Sequence, residues 1–322
     1  MEQIGDFRIE GLLLEGARGT LWLGREPASG RPLAVHLLAP GTTPVPAPPA
    51  AAQLAVPIAE GMLGDGIPWY ATRWFEDDLG ARLAGAANPP RPWPVADAAR
   101  VLDELLTALV GAHGTGLVHG GLGPACVRLD AAGSVRLLGF GLGPLRSAPD
   151  SLEHACRAPE LAADGAAATD PRGDLHAVAV IAHRLFTGAP PRATEPDPEA
   201  LVDSILTGRD ARSGWVLPSM VNRALPAPLG SWILRGLDAD PAARFPDAAA
   251  MREALRELAP PRGEAAPADD ALPAAADPAT PAAEDAVPAA ALGSVVEELL
   301  PAGSVDVPQQ ARLRELADDA RA

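Results

Sequence analysis

The sequence predicts an α+β chain: a run of antiparallel β-strands, then a longer and mainly helical stretch, followed by a disordered tail. Three observations carry this. Short apolar runs separated by Gly- and Pro-containing turns fill residues 7 to 75, which is the pattern of consecutive strands. From Val95, apolar residues recur at Val101, Leu102, Leu105, Leu106, Leu109 and Val110, the spacing of a helix with one buried face. From Pro260 to Ala291 the chain is Ala, Pro and acid with almost no branched apolar residue, a composition that cannot bury enough surface to order itself.

Taken in order, Phe7-Arg8-Ile9 opens a first strand that leads through Leu12-Leu13-Leu14 into Glu15-Gly16-Ala17-Arg18-Gly19-Thr20. Leu21-Trp22-Leu23-Gly24 returns as a second, and Leu33 to Leu38 is a third with apolar residues on both sides. Pro44, Pro46, Pro48 and Pro49 then forbid a regular helix, because proline lacks the amide a helix needs. Ile58 to Met62 and Trp69 to Phe75 are two further strands joined by Gly64-Asp65-Gly66, and Glu76-Asp77-Asp78 marks the crossing to the second lobe. The long helix from Val95 ends at Gly114 and Gly116. Val127-Arg128-Leu129 and Val135 to Leu138 form a short hairpin around Asp130-Ala131-Ala132-Gly133. Asp174 opens a helix that closes at Leu185-Phe186-Thr187-Gly188, and Phe245 to Leu258 is a last amphipathic helix with Pro246 in its first turn.

Bulk properties narrow the function. The chain has 322 residues, 48% of them hydrophobic, enough for a substantial core. Its net charge of −16 argues against a nucleic-acid partner, which needs basic surface. All 26 basic residues are arginine, so no lysine ammonium is on hand for any mechanism. The two cysteines, Cys126 and Cys156, make neither a disulfide framework nor a metal-ligand spacing and suit a reducing compartment. No signal peptide and no membrane span is evident, so a cytoplasmic location is expected.

The stretch that organises the rest is LVHGGLGPACVRLDAAGSVRLLGFGL, Leu117 to Leu142. Its frame resembles the catalytic and metal-binding loops of protein kinases, HRDLxxxN followed by DFG. His119-Gly120-Gly121 stands in the first motif and Gly139-Phe140-Gly141 in the second. Other motifs follow in the family's order. Gly16 and Gly19 match two glycines of its glycine loop, with Leu14 replacing the first, and Leu33-Ala34-Val35-His36 matches VAIK. Ala158-Pro159-Glu160 matches APE, and Arg244 matches the arginine that pairs with that glutamate. The chain thus resembles bacterial serine/threonine protein kinases over about residues 7–258.

That resemblance implies a bilobal kinase-like fold whose helix C is degenerate. It also implies that each charged or metal-binding position that can be aligned has changed. His36 replaces the phosphate-gripping lysine, and no acidic residue between it and Glu60 supplies that lysine's partner. Gly121 replaces the aspartate that orients the attacking hydroxyl, and Gly123 a lysine near the transferred phosphate. Cys126 and Gly139 replace the metal-binding asparagine and aspartate, and a thiol is a poor ligand for Mg²⁺. Gly120 replaces the arginine that answers a phosphate on the following loop, where Ser147 and Ser151 are the hydroxyls.

The residues that hold the fold are kept: His119, Phe140, Gly141, Glu160, Asp174 and Arg244. The expectation is therefore a pseudokinase, not an enzyme, with no catalytic residue and no metal site. It would act as a protein-binding scaffold or regulator in bacterial signalling, through its tail or its cleft. One alternative is a nucleotide sensor without phosphotransfer, in which Gly16, Gly19, Ala34 and His36 bind ATP weakly and no other cofactor is needed. Another is an atypical kinase that recruits Asp130 or Glu76 as metal ligands. The expected boundaries are 1–78 for the small lobe, 79–259 for the large lobe, 260–291 for the linker and 292–322 for a short helical segment. That last segment includes Gln309 to Ala320 and is marginal as an isolated helix.

Overall fold

The computed structural model describes residues 3–40, 53–64, 66–84, 91–148, 151–164, 170–189 and 218–259. All belong to one compact unit, Met1–Glu195 with Ser204–Ala276; the second unit, Pro196–Asp203 with Asp277–Ala322, lies outside them. The expectations for the proline-rich stretch at 41–52, the linker at 260–291 and the segment 292–322 therefore also lie outside the described residues.

The first lobe is an antiparallel six-stranded sheet, β1 (Gln3–Ile4), β2 (Phe7–Gly16), β3 (Gly19–Arg25), β4 (Pro32–Leu38), β5 (Pro57–Met62) and β6 (Pro68–Arg73), in the order β1-β2-β3-β4-β6-β5. Strand β4 explains its apolar run, interrupted only by His36: Leu33, Val35 and Leu37 pack on one face with Ile4, Phe7 and Ala71, while Ala34 and Leu38 join the main core on the other. A strand covered on both faces has no reason to alternate. Position 36, which also points to the main-core side, is fully buried.

The crossing is shorter than expected. Asp77–Asp78 forms strand β7, which pairs with β8 (Val127–Leu129) and through it with β9 (Val135–Leu137). These two acids thus belong to the second lobe's sheet, and residues 74–76 make the passage. Helix α1 (Leu79–Ala84) follows directly.

Helix α2 (Val95–Gly114) buries Val101, Leu102, Leu105, Leu106 and Leu109 against the core, as its spacing predicts. After α3 (Leu152–Ala155) and α4 (Pro159–Asp164) comes α5 (Pro171–Thr187), buried along nearly its whole length. Asp170, not Asp174, caps α5: its carboxylate accepts the Arg172 N–H at 2.9 Å. Gly188 ends that helix at φ 73°, a conformation glycine adopts without strain. Helices α6 (Pro218–Val221), α7 (Ala227–Gly236) and α8 (Ala248–Leu258) are the remaining helices among the described residues. Helix α8 starts three residues later than expected, because the Asp247 side chain accepts the Ala250 N–H at 2.7 Å and sets the first turn after Pro246.

Candidate functional site

The loops flanking the hairpin of β8 and β9 meet the sheet of the first lobe, where His36, His119, Gly139 and Phe140 come together. His36 on β4 stacks on Tyr70 of β6, with ring centroids 4.0 Å apart. Its Nε2 accepts the Gly139 N–H at 3.2 Å. Burial, only partly offset by backbone groups of Tyr70 and Ala34, pulls the His36 pKa down to about 3. The imidazole is therefore neutral and accepts a backbone proton; it cannot serve as a fixed cation. Ala34, fully buried on the same strand, lines the main core beside it.

Tyr70 reaches further: its hydroxyl donates to the Phe140 carbonyl at 2.7 Å. Phe140 packs on His119 with centroids 4.8 Å apart, and His119 Nε2–H donates to the Leu138 carbonyl at 2.8 Å. Burial lowers the His119 pKa, against the opposing pull of Asp174. Asp174 organises the other side of the loop. One carboxylate oxygen accepts the His119 N–H and faces His113 Nε2, each at 2.9 Å; the other accepts the Gly120 N–H at 2.9 Å. Its role is thus to hold the 119–120 backbone, not to start α5.

Cys126 is fully buried beneath this loop, and burial pushes its pKa up to about 12. It remains a thiol. Gly139, at φ 88°, has no side chain, and a Cβ there would meet the Cys126 sulfur at 3.0 Å. Among the described residues no group of three His, Cys, Asp or Glu is placed to hold a metal ion. A neutral thiol beside a glycine does not fit Mg²⁺, which takes hard oxygen ligands. Asp130 is committed elsewhere, paired with Arg136 at 2.6 Å and accepting the Ala132 and Ser134 N–H groups at 2.9 Å.

The glycine turn between β2 and β3 is committed as well. The Ala17 N–H donates to the Pro144 carbonyl at 2.9 Å and the Arg18 N–H to the Leu142 carbonyl at 2.8 Å. In return, the Arg146 N–H donates to Glu15 O at 2.7 Å, and the Arg146 guanidinium pairs with the Glu15 carboxylate at 2.8 Å. Gly16 bridges Leu145, and a Cβ on Gly16 would strike the Leu142 carbonyl. A Cβ on Gly19 would strike the Leu37 carbonyl. These two glycines thus admit neighbouring backbone. Gly123 is roomier, with the nearest atom to a Cβ at 3.5 Å.

Glu160 and Arg244 form a two-pronged pair, both contacts at 2.7 Å, with the arginine side chain fully buried. Gly141 takes φ 83° in the same turn as Phe140. Ser151 caps α3, accepting the His154 N–H at 3.1 Å.

The sequence reading missed Arg128. Its guanidinium lies 3.9 Å above the Trp74 ring and 2.9 Å from Asp78, clamping the crossing to β8. Burial lowers its pKa, with Asp78 opposing. The available signal was a charge inside an otherwise apolar Val-Arg-Leu strand. An open cleft of about 670 Å³ lies elsewhere, with Leu54, Ile58, Arg73, Phe75 and Asp130 in its walls.

Solved structures share this fold. The crystal structure of the Mycobacterium tuberculosis PknI kinase domain matches with a TM-score of 0.57 and 26% identity, covering 80% of this chain and 97% of that one. The chain belongs to the protein kinase-like superfamily. Curated relatives of this kinase-like chain agree. Serine/threonine-protein kinase PksC of Streptomyces coelicolor is 28% identical over 207 residues, 60% of this chain and 35% of the relative. Serine/threonine-protein kinase Pkn1 of Myxococcus xanthus is 28% identical over 291 residues, 78% of this chain and 38% of the relative. The chain spans a little over a third of the length of these two relatives. No family model matches it.

These relatives overturn one expectation. Changed side chains at His36, Gly121, Gly123, Cys126 and Gly139 led to the expectation that the chain is not an enzyme, whereas the relatives are named kinases and indicate an enzyme. The physical reason is that removing catalytic side chains lowers a rate by finite factors and leaves what positioning and binding contribute.

Proposed function

We propose that this kinase-like chain acts in bacterial signalling as a protein-binding regulator, with the kinase-shaped domain as its recognition element. One observation supports this reading above others: the groups of the interlobe cleft are bonded to one another, while the anchors of the fold, Asp174 and the Glu160–Arg244 pair, are complete. A domain built this way offers a stable surface. The net charge of −16 favours a protein partner over nucleic acid. Among the described residues no helix is long and apolar enough to cross a membrane, and the proposal places the chain in the cytoplasm. Partner binding on this reading requires neither ATP nor Mg²⁺. The tail beyond Ala259 is a second candidate for recognition.

The names of the relatives favour a second reading, phosphoryl transfer to protein hydroxyls. Two measurements on the full chain test these readings, which do not exclude one another: capture of a partner, repeated with purified components and with a variant ending at Ala259, and transfer of labelled γ-phosphate from ATP to protein substrates. A stoichiometric partner bound in chelator without nucleotide supports the regulator. Transfer at ordinary kinase rates, on the order of 1–100 s⁻¹, with no stoichiometric partner, rejects it and supports the second reading.

A further inference from the structure

The glycines at 16 and 121 are explained by one neighbouring segment, residues 139–146. A Cβ on Gly121 would land on the Gly143 carbonyl, and one on Gly16 would land on the Leu142 carbonyl. Both obstacles are backbone, which cannot swing aside as a flexible side chain can. The same segment accepts the Ala17 and Arg18 N–H groups and returns the Arg146 N–H to Glu15. It is held from the other side too, since Arg157 donates to the Leu145 carbonyl at 3.2 Å. Leu142 is fully buried and Leu145 nearly so. The segment thus runs between the glycine turn and the 119–121 loop, bonded to the first and packed on the second.

We propose that residues 139–146 are a strap that closes the cleft, and that glycine stands at 121 and 16 because the closed strap needs the space. The inference does not depend on the regulator reading, since an enzyme and a binding protein can both carry a closed strap. The strap's carbonyls take the two amides of the turn that an anion would otherwise take. An oligophosphate and the closed strap therefore compete for the Ala17 and Arg18 N–H groups. Lifting residues 142–146 off the turn requires breaking three backbone hydrogen bonds, the Arg157 bond to the Leu145 carbonyl and one exposed ion pair, while exposing Leu142 and Leu145. The strap is set by backbone geometry, with Gly139, Gly141 and Gly143 all at positive φ, so it needs no modification to close.

Amide hydrogen exchange on the full chain tests this, with Gly121→Ala as the perturbation and Gly123→Ala as its control. Both add one methyl to the same loop, but the first lands on strap backbone, whereas the second makes only ordinary van der Waals contacts, at 3.5 Å to Glu153 and 3.7 Å to the Leu145 side chain. Wild type and Gly123→Ala should protect the amides of Ala17, Arg18 and Arg146. In Gly121→Ala these three should exchange at least about tenfold faster while amides within 175–187 keep their protection. Inorganic triphosphate should then restore protection at Ala17 and Arg18 in Gly121→Ala and leave wild type unchanged. Arg146→Glu, an exposed charge reversal facing Glu15, provides a second route that does not touch the core, and it too should speed exchange at Ala17 and Arg18. Unprotected Ala17 and Arg18 amides in wild type would overturn the strap. So would unchanged protection in a folded Gly121→Ala, or, if that variant does not fold, unchanged protection in Arg146→Glu.

Discussion

Replacing Glu160 by Gln isolates the cost of leaving one buried charge without its partner. The two side chains have the same shape, but the variant carries no charge and turns an amide donor toward a guanidinium donor. Arg244 is fully buried, and both of its prongs to Glu160 are 2.7 Å long. Breaking a buried pair by removing one member costs about 3–5 kcal/mol when the stranded charge has no other support. Here it has some: the guanidinium also donates to the Asp238 carbonyl at 2.7 Å and the Arg172 carbonyl at 2.9 Å. Glu160 itself keeps 19% of its side chain exposed, so water can reach the gap. These two facts bring the expected loss to about 2–3 kcal/mol. Urea unfolding followed by tryptophan fluorescence reads it as a midpoint lowered by roughly 1 M at a slope near 2–3 kcal/mol/M. The pair also has a pH signature. Burial raises the Glu160 pKa, but the hydrogen bonds and charge of Arg244 outweigh it, and the net shift is downward. The contribution is therefore complete above the unfolded carboxyl pKa, about 4.3, and fades as pH falls through the lower folded value. The gap between wild type and variant should narrow in acid. A loss below about 0.5 kcal/mol at pH 7, or a gap that widens in acid, would refute the reasoning.

Three further outcomes follow from the same geometry. Asp174→Ala strands the His119 and Gly120 N–H groups in the core and should cost about 2–4 kcal/mol, read by urea unfolding, with faster exchange at those two amides. His36 is neutral in the fold with a pKa of about 3, so the unfolded chain binds the extra proton between about pH 3 and 6.5. Stability should therefore fall, as pH is lowered through that window, by up to about 1.4 kcal/mol per pH unit, and His36→Gln should flatten this part of the profile. Asp103 on α2 accepts from both Arg252 and Arg256 of α8, at 3.0 and 2.5 Å; because those arginines are partly exposed, Asp103→Ala should cost only about 1–2 kcal/mol in thermal or urea unfolding.

How much of this was legible in the sequence depended on the range of the interaction. The strands of the first lobe could be read from local apolar runs and turn glycines, and α2 from its period. The Glu160–Arg244 pair could be anticipated because both members sit in recognisable motifs. What stayed hidden joins residues far apart by backbone atoms, which leave no mark on side-chain pattern. The Gly139 N–H meets His36 across 103 positions, and the Tyr70 hydroxyl meets the Phe140 carbonyl across 70. The strap is of this kind: its bonds to Ala17 and Arg18 use only N–H and C=O groups. Helix starts were misplaced for a smaller reason. Asp170 and Asp174 both precede apolar spacing, and only the structure shows which carboxylate turns to the helix amides and which to the 119–120 loop.

The two glycines that stand where the family has aspartates, 121 and 139, obey different constraints, and this bears on what restoring the acids would do. At 139 the constraint is the backbone itself: φ 88° is disfavoured for any residue with a Cβ, at roughly 1–2 kcal/mol. At 121 no positive φ is involved; the obstacle is the Gly143 carbonyl across the gap. An aspartate at 121 can therefore be accommodated by moving the strap, whereas one at 139 requires the 139–141 turn to change its dihedrals. Both changes act on the same strap, so once the first has opened it the second should be less costly, and the two should not be additive. Side-chain identity and strap position are thus parts of one arrangement. Restoring acids singly would test packing before it tests chemistry.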